Sequence, residues 1–141
     1  MPRSSTHSYI HFVWTTFDRL PLIVDTVEQA VFACIAAKCQ ELRCQLLEIN
    51  GTLDHVHVVA RLHSTVAVAR LAKEMKGSSS HLITHEVAGR GSFKWQGCYG
   101  AFSVSPGDVP RVRAYVRQQK EHHAANRVMA DWERCEAMDE E

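Results

Sequence analysis

The sequence of 141 residues predicts an α+β fold in which four strands form one antiparallel sheet and two helices pack on it. Two observations favour this class. Segments rich in aromatic and β-branched residues alternate with segments of helical periodicity, and their order along the chain is βαββαβ. A third observation is the tight-turn dipeptide Asn50-Gly51, which predicts a β-hairpin between the second and third strands. This is the ferredoxin-like plan, and the sequence adds one helix after it.

The first half of the chain supplies a strand, a helix and the hairpin. Residues 8–16 are dense in aromatic and β-branched side chains, and the strand ends before Pro21, which has no N–H to donate to a ladder. Asp25 is the predicted N-cap of a helix over residues 27–42. The two strands of the hairpin are predicted over residues 45–49 and 53–60.

The second half supplies a helix, a strand and the additional helix. Ser64 or Thr65 caps a helix predicted over residues 66–79, and residues 99–105 alternate as a fourth strand. Pro106-Gly107-Asp108 is a turn that leads into a long helix over residues 109–127. In the usual strand order of this plan the first and third strands are central, and both crossover helices lie on one face.

Length and composition predict a single cytoplasmic domain. We expect residues 1–130 to form the domain and residues 131–141 to form an acidic tail, which holds six acidic side chains and one basic. Five cysteines without a Cys-x-x-Cys pair argue against a disulfide framework and a zinc finger. The N-terminus has no apolar stretch behind a basic one, so no signal peptide is expected.

The zero net charge conceals an asymmetry. Without the tail the chain carries fifteen Lys and Arg against ten Asp and Glu, a formal charge of +5. A basic body with an acidic tail suits a polyanionic partner. Scattered, solvated charge explains the count equally well.

His55-Val56-His57 lies in the third predicted strand. Side chains alternate along a strand, so both histidines point to one face, with Cα atoms about 6.5–7 Å apart. Both imidazoles can lean onto one cation there, while Val56 and Val58 face the core. The alternative for an isolated pair is two histidines on a half-exposed strand, because no third ligand is nearby in the sequence.

The last predicted helix carries Tyr115 and Gln119, which are four residues apart. Such residues share one helical face, about 6 Å apart along the axis. A tyrosine can act as a nucleophile, and a glutamine carbonyl is an oxygen ligand suited to Mg²⁺ or Mn²⁺. The alternative is an exposed pair on a basic helix.

Together these motifs closely resemble a known family. The pattern comprises His-hydrophobic-His on a strand, a basic helix with Lys-Gly-Ser-Ser, the stretch from Trp95 to Ser105, and Tyr-x-x-x-Gln-x-x-His-His. It is similar to the small single-tyrosine transposases of the His-hydrophobic-His (HUH) endonuclease superfamily, the TnpA-type enzymes of bacterial insertion sequences. The resemblance runs from about Tyr9 to Arg127, without a departure at the motif positions.

The resemblance implies a chemistry and partners. His55, His57 and Gln119 would hold one divalent cation, Mg²⁺ or Mn²⁺, and Tyr115 would attack a phosphodiester of single-stranded DNA. The product would be a 5′-phosphotyrosine and a free 3′-hydroxyl, so rejoining needs no ATP. The family also implies DNA hairpins as recognition sites, and a homodimer in which the tyrosine helix of one subunit can complete the partner's histidine site.

The predicted DNA contacts are basic side chains and one aromatic. The candidates for phosphate contacts are Arg70, Lys73, Lys76 and Arg117. Trp95 is a candidate platform for base stacking, with core packing as the equal alternative. The remaining histidines of the body, among them His11, are expected to be structural or surface residues.

Three other functions fit parts of the sequence. A non-catalytic ferredoxin-like module binds nucleic acid through exposed aromatics on its open sheet face, where this chain instead carries His55 and His57. A host-adopted nicking enzyme of the same superfamily would use the same chemistry on chromosomal hairpins. Replication or conjugation nicking enzymes of the superfamily are typically parts of larger proteins.

Overall fold

The computed structural model describes residues 4–87 and 93–124, with side chains as far as Glu121. The strands are β1 (Tyr9–Thr15), β2 (Gln45–Gly51), β3 (His55–Arg61) and β4 (Gly100–Val104); the helices are α1 (Asp25–Glu41), α2 (Val68–Glu86), α3 (Val109–Arg117) and α4 (Gln119–Ala124). Short 3-10 turns cover Phe17–Arg19 and Pro106–Asp108. The predicted acidic tail, residues 131–141, lies outside the described residues.

All four strands join one antiparallel sheet in the order β2-β3-β1-β4. The predicted α+β class and its βαββαβ order are therefore confirmed, with β1 and β3 as the central pair. In the described part of the chain, no helix is both long and apolar enough to span a bilayer.

The two faces of the sheet bury different sets of residues because side chains alternate along each strand. One face packs against α1 and α2 in the main core, which includes Phe12, Trp14, Val56 and Val58, all fully buried. On α1 the inward residues are Val27, Val31, Ile35 and Cys39. Burial raises the pKa of the Cys39 thiol to about 12, so this thiol is neutral and packs as an apolar group.

The opposite face packs against α3 through a smaller cluster. Val59 of β3 contacts Val112, Tyr115 and Val116 of α3. The alternation that turns Val56 and Val58 toward the main core turns His55 and His57 toward α3. The sheet therefore separates the main core from the face that carries the two histidines.

The hairpin turn lies two residues later than predicted. Gly51 is the last residue of β2 and pairs with Val56, and the Thr52 amide donates to the His55 carbonyl at 3.0 Å across the loop. A Cβ on Gly51 would lie far inside van der Waals contact of that carbonyl oxygen and 3.1 Å from the Val56 Cα. The glycine is needed for this close approach and does not form the turn itself.

We expect Gly51→Ala to destabilise the protein by about 1–3 kcal/mol, the usual cost of forcing a carbon into a packed site. Because the clash is with the His55 backbone, the metal affinity expected of the histidine pair should fall as well. Urea unfolding and Mn²⁺ titration measure the two effects.

The matched control is Gly77→Ala, since a Cβ there meets nothing within 4 Å in α2. That change should leave stability unchanged or raise it by about 0.5–1 kcal/mol. Equal stabilities and equal Mn²⁺ affinities of the Gly51→Ala and Gly77→Ala proteins would contradict the role assigned to Gly51.

Helix α2 also runs further than predicted, to Glu86 instead of about residue 79. The serines after Gly77 do not end it because they bond back to the preceding turn. Ser79 Oγ donates to the Met75 carbonyl at 2.7 Å, and Ser78 Oγ donates to the Glu74 carbonyl.

Candidate active site

The histidine pair lies side by side and buried on the α3 face of β3. His55 is 2% exposed and His57 is fully buried, and their ring centroids are 5.1 Å apart. Both backbones are fixed by the central ladder, where His55 pairs with Thr15 and His57 with Val13. The sheet therefore sets the spacing of the two imidazoles.

Residues of the hairpin loop orient His55. Its Nδ1 lies 2.8 Å from Asp54 Oδ1 and 2.9 Å from Thr52 Oγ1. An ionised carboxylate can only accept, so Nδ1 carries the proton and Nε2 is left with a lone pair. Burial alone would raise the pKa of Asp54, but the hydrogen bond and charge of His55 and the Arg19 guanidinium outweigh it and lower that pKa.

His57 is oriented by a residue that the sequence analysis did not assign to the site. His11 Nε2 lies 2.8 Å from His57 Nδ1, and the two rings stack with centroids 5.0 Å apart. His11 is 1% exposed on β1, so the expectation of a structural or surface histidine missed this contact. The available signal was alternation: His11 and Val13 share one face of β1, and Val13 pairs with His57.

Tyr115 approaches the same place from α3. It is 6% exposed, and its ring stands edge-on to His57 with centroids 6.2 Å apart. Two ion pairs help to fix α3 against β2, because Glu48 Oε1 accepts from Arg113 at 3.4 Å and from Arg117 at 3.0 Å.

The prediction of a single long helix over residues 109–127 is wrong, because the described part of this segment, as far as residue 124, forms two helices. The helix breaks at Gln118 (φ −99°, ψ 20°), and Gln119 begins α4. Asn50 of β2 holds the break: its Nδ2 donates to the Arg117 carbonyl at 2.8 Å, and its Oδ1 accepts from Lys120 Nζ at 2.8 Å. The four-residue spacing of Tyr115 and Gln119 had predicted one helical turn between them. Because the helix breaks, they are instead on two different helices.

The break brings Gln119 to the histidines. Gln119 is fully buried, and its Oε1 lies 3.2 Å from His55 Nε2. With the proton of His55 on Nδ1, a lone pair of each atom faces the other. Either the amide is turned so that its NH₂ donates to His55, or a cation belongs beside the two atoms.

The donor set fits a divalent cation. Two imidazoles and one amide oxygen are neutral ligands, so a bound ion would keep most of its charge for a phosphate. In the orientation described above, Gln119 Nε2 is buried and meets no hydrogen-bond acceptor among the described residues. His, Cys, Asp and Glu form no group of three that could hold a metal within residues 4–87 and 93–124, so the set depends on the glutamine amide.

Comparison with known proteins identifies the chain. A family model described as "Transposase IS200 like" matches residues 4–119. The chain belongs to this family. It is an enzyme of the TnpA type, a transposase of the HUH superfamily that acts in DNA recombination.

Two solved structures share the fold of the transposase. A candidate transposase from Deinococcus radiodurans R1 matches with a TM-score of 0.64 and 18% identity, over 84% of this chain and 96% of the other. A REP-associated tyrosine transposase bound to a REP hairpin matches with a TM-score of 0.66 and 13% identity, over 91% and 74%. No curated protein matches the sequence.

The four basic side chains predicted to contact DNA differ in how accessible they are to a phosphate. Arg70 and Lys73 are exposed on α2. Lys76 instead donates to the carbonyls of Gln96 and Cys98, at 2.7 and 3.0 Å, and so holds the loop before β4. Arg117 is paired with Glu48, although its side chain is 61% exposed.

Trp95 is buried in the main core of the transposase. It is 6% exposed, its Nε1 donates to Ser79 Oγ at 2.9 Å, and its ring stands edge-on to those of Trp14 and Phe93. A base cannot stack on a ring enclosed in this way. The structure therefore favours core packing over the predicted stacking platform.

The Asn50 contacts predict an effect on metal binding by the expected ligands. Asn50→Ala removes both bonds at the helix break, so Gln119 should lose its fixed position and Mn²⁺ affinity should fall by about tenfold. Amide exchange of residues 119–121 should quicken. In a Gln119→Ala background the same change should not weaken binding further.

The control for this variant is Gln45→Ala, an exposed position at the opposite end of β2. It should leave Mn²⁺ affinity and amide exchange at wild-type values. Additive losses from Asn50→Ala and Gln119→Ala would show that Asn50 does not act through Gln119.

Proposed function

We propose that this transposase cleaves and rejoins single-stranded DNA at hairpin-associated sites, with Tyr115 as nucleophile and a divalent cation held by His55, His57 and Gln119. The observation that carries the proposal is the convergence of all four side chains on one face of the sheet. His55 and Gln119 contact each other at 3.2 Å, and Tyr115 stands against His57. These residues come from β3, α3 and α4, so three separate elements bring four reactive or ligating groups into one buried cluster.

The tyrosine step is a transesterification at phosphorus. The Tyr115 oxygen forms a bond to phosphorus as the bond to the 3′-oxygen breaks, and the phenol proton is lost to solvent. The leaving 3′-oxygen takes up a proton and becomes a hydroxyl, while the 5′-phosphate stays on the enzyme. Attack by another 3′-hydroxyl on this phosphotyrosine reverses the step and joins the strands, so the bond energy is conserved.

The cation is Mg²⁺ or Mn²⁺, which when bound supplies Lewis acidity that polarises the phosphate and offsets its developing charge. The residues of the chain hold its ligands in place. Asp54 keeps the proton of His55 on Nδ1. We assign to His57 the tautomer that donates from Nδ1 to His11 Nε2, so that the Nε2 atoms of both ligands keep their lone pairs. Asn50 fixes the start of α4 and with it Gln119.

The substrate is supported by the charge of the body and by a relative. Arg70 and Lys73 offer exposed cations on α2 for DNA phosphates. The REP-associated tyrosine transposase that shares this fold was solved with a REP hairpin. We assign the activity to one domain, residues 1–130, with a homodimer as the working assembly.

A non-catalytic nucleic-acid-binding module is less well supported. Such a module exposes aromatic side chains on its open sheet face. Here the corresponding face carries the buried histidines His11, His55 and His57 beneath α3. His57 is hydrogen-bonded to His11, and His55 is hydrogen-bonded to the Asp54 carboxylate and lies beside the Gln119 amide. This arrangement suits a reaction centre better than a base-binding surface.

The test is a covalent trapping assay. Labelled single-stranded hairpin oligonucleotides are incubated with the protein and Mg²⁺ or Mn²⁺, and denaturing gels are searched for a protein–DNA adduct. We expect an adduct that carries label only from the 3′ side of the cleaved bond, the fragment whose 5′-phosphate stays on the tyrosine, and that is lost when the metal is chelated. Equal adduct with chelator would contradict the metal-dependent mechanism.

Subunit mixing tests the assembly. If each site forms within one chain, a mixture of Tyr115→Phe and His57→Ala proteins should be as inactive as either alone. If the tyrosine helix is exchanged between subunits, the mixture should regain part of the wild-type adduct.

A further inference from the structure

The large hydrophobic side chains that stay exposed lie on two segments that are hydrogen-bonded to each other, the turn after β1 and the hairpin loop. Among the described residues they are Phe17, Leu20 and Leu53, with 44%, 45% and 53% of their surfaces exposed. Single exposed apolar residues need no explanation, but a group of this kind marks an interaction surface. We call these three residues the Phe17 platform.

Backbone hydrogen bonds attach the platform to the candidate active site. The Thr16 amide donates to the Asp54 carbonyl at 2.8 Å, which places the turn that carries Phe17 beside the residue that orients His55. The Ile23 amide donates to the Leu53 carbonyl at 2.9 Å, so the segment after Leu20 runs along the same hairpin loop. A strand of DNA with its phosphate at the histidines would have neighbouring nucleotides at this surface.

Cations flank the platform. Lys94 Nζ lies 4.7 Å from the centroid of the Phe17 ring, and the exposed Arg19 guanidinium lies 3.6 Å from Asp54. The combination of an exposed aromatic face with adjacent Lys and Arg is the usual composition of a single-stranded nucleic-acid site.

The turn adopts an uncommon backbone to present these side chains. Asp18 and Arg19 both have positive φ angles, 54° and 51°, which non-glycine residues rarely adopt. The Asp18 amide donates to Gln96 Oε1 at 3.1 Å and the Arg19 amide to the Thr16 carbonyl at 3.1 Å, so local contacts hold the conformation. Such strain concentrates at binding sites.

We propose that the Phe17 platform binds an unpaired base next to the cleaved phosphodiester, by stacking on the Phe17 ring, while Lys94 and Arg19 contact the adjoining backbone. This inference rests on the proposed function, since it takes single-stranded DNA as the substrate. It assigns to Phe17 the stacking role that the buried Trp95 does not fill. A second copy of the chain is the competing occupant. The exposed Phe17 ring with Lys94 against it has the composition of a single-strand site, which favours an oligonucleotide.

The experiment measures binding in a Tyr115→Phe background, so that cleavage does not interfere. Fluorescence anisotropy with a labelled single-stranded oligonucleotide should show about tenfold weaker binding for Phe17→Ala. Phe17→Leu, which keeps the apolar bulk without the ring, should lose nearly as much. A fully paired duplex should bind all three proteins equally, because its bases are already stacked.

A reporter variant supplies a readout that a purely structural role would not change. Phe17→Trp should bind the single strand at least as well as the Tyr115→Phe parent, and its fluorescence should be quenched by the oligonucleotide beyond the quenching of that parent. Phe32→Trp, on α1 and packed against the main core, should show no such quenching.

Three results would overturn the inference. One is wild-type-like single-strand affinity of Phe17→Ala, and another is an equal loss of single-strand and duplex binding. The third is a change in molar mass of the Phe17→Ala or Leu53→Ala protein in solution, which would assign the platform to a second copy. Failure of the proposed function is distinguished separately, by absence of the covalent adduct in the wild-type enzyme.

Discussion

Tyr115→Phe is expected to eliminate the covalent protein–DNA adduct, a loss of more than about 10⁴-fold, because phenylalanine has no oxygen to attack phosphorus. The ring itself is retained, so its edge-on contact with His57 and its packing beside Val112 and Val116 should persist. Noncovalent binding of the oligonucleotide and Mn²⁺ affinity should therefore stay within about twofold of wild type. Denaturing gels measure the first quantity, and anisotropy and Mn²⁺ titration measure the others.

Tyr99→Phe is the matched control, because it removes the same phenol oxygen from a half-buried tyrosine just before β4. It should retain the adduct in full. Survival of the adduct in Tyr115→Phe would show that a different residue attacks the DNA.

His57→Ala should lower Mn²⁺ affinity by more than about a hundredfold, since loss of a partner that merely orients a ligand already costs ten- to a hundredfold. The adduct should fall with it and recover in part at high Mn²⁺. Because His57 is fully buried, the alanine variant also leaves a cavity. His57→Gln keeps most of the volume and should separate loss of the ligand from loss of stability.

A substitution of His11 should have a smaller effect on metal affinity than the loss of His57. His11→Leu keeps the bulk but removes the ring nitrogen that is hydrogen-bonded to His57 Nδ1, so Mn²⁺ affinity should fall by about ten- to a hundredfold while the tyrosine stays intact. His63→Leu, a half-buried histidine bonded to Thr65, should have no effect on metal binding. Equal Mn²⁺ affinities in the two variants would remove His11 from the site.

The fold could be predicted because each element carries its own signal. Alternation fixes which face of β3 holds His55 and His57, and helical periodicity fixes the buried face of α1. The order βαββαβ then leaves few arrangements, and the structure has the usual one, with β1 and β3 central. The four residues that the motifs singled out, His55, His57, Tyr115 and Gln119, do lie together.

The remaining features depend on contacts between distant segments, which periodicity does not encode. The helix break at Gln118 needs Asn50, a residue 67 positions before the Arg117 carbonyl that it binds. Trp95 is an aromatic in a segment without regular alternation, and only its contacts with Trp14 and Ser79 reveal that it is enclosed. The contact between His11 and His57 could be predicted only once the register of β1 against β3 was known.

The two halves of the candidate site are held in place by very different amounts of structure. His55 and His57 lie on the central strand β3, which pairs with β1 from His55 to Arg61 and with β2 from Val56 to Arg61. Tyr115 and Gln119 are anchored by one small apolar cluster, the ion pairs of Glu48 and the amide of Asn50. Exposed ion pairs contribute little to stability. Under mild denaturant the contacts of α3 and α4 with the sheet should thus be lost first, which would release the proposed nucleophile and one proposed metal ligand while the sheet and its histidines remain folded.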